Sequence, residues 1–173
     1  MDWGCAALRL RSFDAGRLRV GELLDVVVAG AHGGAGTSTL AALLPAAWDV
    51  GVVRATPDAD RCPVQAKGRP VVLAVRNTAA AARSATAAVG VLRQGGEGIA
   101  ALAIVSDGGP ESRDAAARFA LLGWQVGGVV RVPYVRALRL VDDPAEVVLP
   151  GKARAAVDGL RGLVAGGGRG WRG

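Results

Sequence analysis

Asp25-Val-Val-Val-Ala-Gly-Ala-His-Gly-Gly-Ala-Gly-Thr-Ser-Thr39 is the stretch on which the reading of this chain turns. Its first six residues, Asp25 to Gly30, are mostly β-branched and apolar and close on a glycine. That pattern predicts a short central strand of a parallel sheet, buried on both faces. Small residues and glycines then make a loop, and the Ala- and Leu-rich run Ser38 to Ala47 predicts a short helix that stops near Pro45. A strand, a glycine loop and a helix start, in that order, line up successive backbone N–H groups into a concavity for an anion.

Working outward, Val50 to Val53 reads as a brief second strand, and Ala55 to Arg69, with Pro57, Pro63, Gly68, Asp58 and Asp60, as a long surface loop. From Pro70 the pattern is regular. Val71 to Val75 predicts a strand, Thr78 to Arg93 an Ala-rich helix and Ile99 to Val105 a strand, which together make a βαβ unit. A helix from Glu111 to Leu122, a strand within Gln125 to Val132 and a last helix from about Lys152 to Val164 follow. Residues 1–22 alternate arginine and leucine in a way that fits an edge strand or a docking arm equally. The tail 166–173, AGGGRGWRG from Ala165 onward, reads as flexible and basic.

Composition bounds the answer. A chain of 173 residues is the size of one domain, placed here at residues 23–165. Its 51% hydrophobic content with only 4% aromatics suits helices packed closely on a parallel sheet. The net charge of +6 is scattered from Arg9 to Arg172 rather than gathered in a patch, so a solvated basic surface is favoured and contact with nucleic acid is left open. Cys5, Cys62 and a single histidine, His32, do not make a zinc ligand set. The N-terminus has no sustained apolar run, so a cytoplasmic protein without a membrane anchor is expected.

Residues His32-Gly33-Gly34-Ala35-Gly36-Thr37-Ser38-Thr39 resemble, without a gap, the K-G-G-x-G-K-[ST]-[ST] loop of the deviant Walker A family, the ParA, MinD and partition-type ATPases. Both family lysines are replaced, by His32 and Thr37, while the glycines and the hydroxyl pair remain. Val129 to Pro144, VVRVPYVRALRLVDDP, is similar to the family's late strand and proline-led loop. The resemblance implies an α/β, three-layer P-loop NTPase-like domain with a mostly parallel sheet of about five strands. It implies nucleotide-binding positions at Gly33, Gly34, Ala35, Gly36, Thr37, Ser38 and Thr39, with Asp107 and Pro133 near the base. ATP and Mg²⁺ are the implied cofactors, Ser38 holding the Mg²⁺ if nucleotide binds; without nucleotide the chain needs none.

The missing lysine decides the expected activity. A hydrogen bond to a charged group is typically worth about 1.5 to 3 kcal/mol, and hydrolysis suffers more than binding because that cation neutralises transition-state charge. No catalytic residue is assigned. The expected second carboxylate is also missing, since Val71 to Val75 is followed by Arg76; Asp49 is the substitute acid. The chain therefore reads as a pseudo-ATPase or weak nucleotide-binding accessory or positioning protein with a protein partner or self-association, in plasmid maintenance, conjugation or polar localisation by resemblance alone. Hydrolysis would need a cation supplied by another subunit.

Two other readings stand beside it. An inert structural adaptor would use the loop only as a tight βα turn. An NAD(P)-binding Rossmann protein would use Gly30, Gly34 and Gly36, but Leu138, not lysine, stands four residues after Tyr134, and Asp58 lies inside a loop. Asp142 and Asp143 read as a capping or solvated pair, and the four tryptophans as packing or tail residues.

Overall fold

The computed structural model describes residues 25–54 and 64–167. Five strands, β1 (Val26–Gly30), β2 (Ala47–Val52), β3 (Val71–Arg76), β4 (Ile99–Val105) and β5 (Val129–Val132), form one sheet in the order β2-β1-β3-β4-β5. Every pairing is parallel. Helices α1 (Thr37–Leu43), α2 (Ala79–Gln94), α3 (Arg113–Gly123) and α4 (Gly151–Gly167) complete the α/β architecture. The expected segments 1–22 and most of Ala55 to Arg69 lie outside the described residues, as do both cysteines and the last six positions of the tail.

Alternation along the strands builds the three layers. Val27, Ala29, Leu73, Leu102 and Ile104 face α2 and α3, where Phe119 and Leu122 fill the space between them. Val26, Val28, Val72, Ala74, Ala101 and Ala103 face α1 and α4, meeting Leu40, Leu44 and Leu160. The second face is lined by smaller side chains, so α4 lies close over β4 and β5. The sheet order is one of the two common doubly wound orders, and its direction of winding reverses between β1 and β3.

Local chemistry corrects several expected boundaries. The first helix ends at Leu43, not Ala47, because a residue before proline is driven out of the helical region: Leu44 has φ −104° and ψ 133°. With the helix shortened, β2 begins at Ala47 instead of Val50. Thr78 and Ser112 are caps rather than helical residues, their hydroxyls accepting from the N–H of Ala81 and Ala115. The last strand, Val129–Val132, falls within the expected Gln125 to Val132, and just before it Gly127 passes so close to β4 that a β-carbon there would stand 2.6 Å from the carbonyl oxygen of Ala100. Helix α4 runs to Gly167, two positions into the segment expected to be a flexible tail. Among the described residues no helix is long and apolar enough to cross a membrane.

Leu102 is wholly buried at the centre of β4. Leu102→Ala is expected to cost about 2 to 5 kcal/mol, a large share of the marginal stability of a domain this size, read as a lower urea midpoint with an unchanged slope.

Candidate functional site

The carboxyl ends of β1, β3, β4 and β5 open onto one cleft, where doubly wound sheets place their ligands. The glycine loop forms its first wall. Gly30 admits no side chain, since a β-carbon there would lie 2.6 Å from Thr37 Oγ1, and Gly36, immediately before α1, has φ +90°, a region closed to most L-residues at small cost. Among the described residues the backbone N–H groups of Gly33, Gly34, Gly36, Thr37 and Ser38 make no backbone hydrogen bond outside the helix. They form the kind of donor row that suits an anion.

The structure divides the loop residues among five surroundings. Gly34, Gly36 and Thr39 line the cleft together with Asp107 and Pro133, so five positions implied by the resemblance converge. Ala35 is buried in the core beside Leu40, Gly33 is exposed, and Thr37 lies against the end of β1. Ser38 turns toward β2, where its hydroxyl donates to Asp49 Oδ2 at 2.6 Å; Asp49 Oδ1 accepts from the N–H of Gly51. The register that pairs Val28 with Asp49 brings this carboxylate beside the loop.

His32 serves the backbone. Its Nε2 accepts from the N–H of Arg76 at 3.2 Å, while Nδ1, 2.8 Å from the carbonyl oxygen of Gly33, carries the proton and donates to it. The neutral ring ties the loop to β3 and supplies no positive charge.

The cation comes from elsewhere. Arg76 ends β3, and because Gly30 pairs with Ala74 it rises over the loop, its Nε donating to the carbonyl oxygen of Gly34 at 2.8 Å. Sequence reading registered Arg76 only as a missing acid, for nothing in the sequence says that β3 is the neighbour of β1. Arg139 and Tyr134, beyond β5, complete the cleft, the guanidinium lying 5.5 Å from the ring centre. Tyr134 packs on Gly108, whose φ of +97° leaves room for the ring. The cleft encloses about 140 Å³, below the roughly 300 to 1,000 Å³ usual for a drug-sized ligand.

Asn77 holds the far wall. It is the buried polar residue of the described chain, its amide donating to the carbonyl oxygen of Gly109 at 3.0 Å and its Oδ1 accepting from the N–H of Asp107 at 3.2 Å. Asp107 Oδ1 in turn accepts from the N–H of Gly109. Arg131 is neutralised nearby: two 3.0 Å bonds to Glu111, with the carboxylate's charge behind them, hold its guanidinium above its ordinary range against the opposing effect of burial. No cluster of three or more metal-ligating His, Cys, Asp or Glu side chains exists among the described residues.

Asn77→Ala is expected to cost about 1 to 3 kcal/mol, because it removes two hydrogen bonds, to the carbonyl oxygen of Gly109 and from the N–H of Asp107. Amide hydrogen exchange at Asp107 should accelerate more than exchange in β1; equal protection in both would show that Asn77 does not hold the wall.

Scanned against protein-family models and searched against curated proteins, the chain matches none, so the likeness of its glycine loop is weighed on the loop's own residues and geometry.

Proposed function

We propose that this chain is a ParA/MinD-like pseudo-ATPase: a weak Mg-nucleotide-binding accessory or positioning protein that does not hydrolyse its ligand at a useful rate. The observation that carries the reading is the Ser38–Asp49 pair. In P-loop proteins a loop hydroxyl and a carboxylate from a neighbouring strand hold Mg²⁺, and here the two residue types meet at 2.6 Å beside the glycine loop. Two oxygens suffice for an ion that keeps most of its water, so the donor set fits Mg²⁺. When bound, Mg²⁺ would offset the charge of the phosphates. The loop N–H groups would orient the phosphates, and Asp107 and Pro133 would border the base.

A bare βα turn needs no such pair. Asp49 also weighs against the dinucleotide reading, since the acid of β2 is engaged with Ser38 and the strand ends at Val52, followed by Val53 and Arg54 rather than by a ribose-binding carboxylate. The inert adaptor has one observation in its favour, the small cleft of about 140 Å³. A protein partner or a second copy fits the accessory role, and Trp124, 92% exposed beside Leu121 on α3, supplies apolar surface for it.

Thermal unfolding with millimolar Mg-ATP, Mg-GTP and NADPH tests the proposal, because a ligand that binds the native state raises the midpoint. The expected result is a rise with one nucleoside triphosphate that needs Mg²⁺ and shrinks in Asp49→Asn, without phosphate release above background. No rise with any nucleotide would leave the adaptor reading in its place, and a rise with NADPH alone would replace the P-loop reading with the dinucleotide one.

A further inference from the structure

Of the arginines near the strand ends, Arg131 is paired with Glu111, while Arg76 and Arg139 have no carboxylate within 4 Å among the described residues. Both line the same cleft. We propose that Arg76 and Arg139 form a clamp for a phosphoryl group, with Arg76 supplying from within the chain the cation that the loop lacks at Thr37. The clamp deepens the nucleotide reading of the site and rests on it for the source of the phosphoryl group.

Three features support the clamp. Arg76 is moored at two points, its backbone N–H on His32 and its Nε on the carbonyl oxygen of Gly34, so the guanidinium is held at the loop's rim. Of its five N–H donors the four on Nη1 and Nη2 have no partner among the described residues, and this planar fork matches the spacing of phosphate oxygens. Arg139 approaches from the turn after β5, steadied against Tyr134, so the two cations reach the cleft from different elements and suit an anion with oxygens on several sides. The volume of about 140 Å³ accommodates such a group but not base, sugar and phosphates together. Asp107 also borders the cleft, yet one of its oxygens is occupied by the N–H of Gly109, and the two guanidiniums outweigh its single charge.

Calorimetric titration of the full chain with Mg-ATP, inorganic pyrophosphate and adenosine, in wild type, R76Q, R76K and R139Q, tests the clamp once far-ultraviolet circular dichroism shows each variant folded. Wild type should bind pyrophosphate and Mg-ATP, and R76Q should weaken both by about ten- to a hundred-fold. R76K should recover only part of that loss, because it restores charge without the fork, and adenosine should not respond to either change. If R76Q does not fold, R139Q, on an exposed turn, carries the same expectation. Pyrophosphate binding that depends on Arg76, without any nucleotide binding, would uphold the clamp and remove the nucleotide reading. Mg-ATP binding with equal affinity in wild type, R76Q and R139Q would overturn the clamp and leave the nucleotide reading standing. Binding of neither ligand would overturn both.

Discussion

Strands β1, β3 and β4 bury both of their faces, and the molecule is organised by what that burial demands. Val26 to Gly30, Val71 to Val75 and Ile99 to Ile104 are almost wholly withdrawn from water. Backbone polar groups so placed must be paired along the sheet, and side chains on each face need a helix layer. Helices α2 and α3 cover one face with Ala, Leu and Phe; α1 and α4 cover the other, where alanines on β3 and β4 let them sit close. Parallel strands require crossovers, and the crossovers leave every strand's carboxyl end on one side. That side holds the glycine loop and the cleft.

The reversal of winding between β1 and β3 is the geometric origin of the site. Strand β2 departs from β1 in one direction, carrying Asp49 to Ser38; β3 lies on the other side, carrying Arg76 to Gly34. A carboxylate and a guanidinium thus flank one loop from opposite neighbours. His32, neutral in its hydrogen bonds, fastens the loop to β3 without adding charge. Asn77, buried at the end of the same strand, fastens the β4 turn in the same manner. Such pinning costs little where each donor meets an acceptor, and it gives the wall residues fixed positions.

The glycine loop presents a row of backbone N–H groups, and the positive charge near it sits on other elements. Glycines at positions 30 and 36 are required by contact and by φ, so the turn is conserved in form by steric necessity whatever it binds. Thr37 turns toward β1 and cannot take a lysine's part. Charge reaches the cleft from β3 and from the segment after β5, through Arg76, held by the carbonyl oxygen of Gly34, and Arg139, set against Tyr134.

From the residues in order came the five strands, the four helices and the glycine loop, because burial on two faces writes continuous apolar runs and capped helices write small, periodic ones. Asp49 was visible as a candidate acid and Asp107 and Pro133 as wall positions. What no linear reading contained was adjacency. Which strand lies beside β1 depends on how helices of particular widths pack over two faces at once, a property of the whole sheet rather than of any segment. So Arg76 read as an absence of carboxylate until β3 stood next to the loop, and His32 read only as the residue at a lysine's place until the N–H of Arg76 claimed its ring. Local pattern determined the elements; the packing of layers decided which side chains meet.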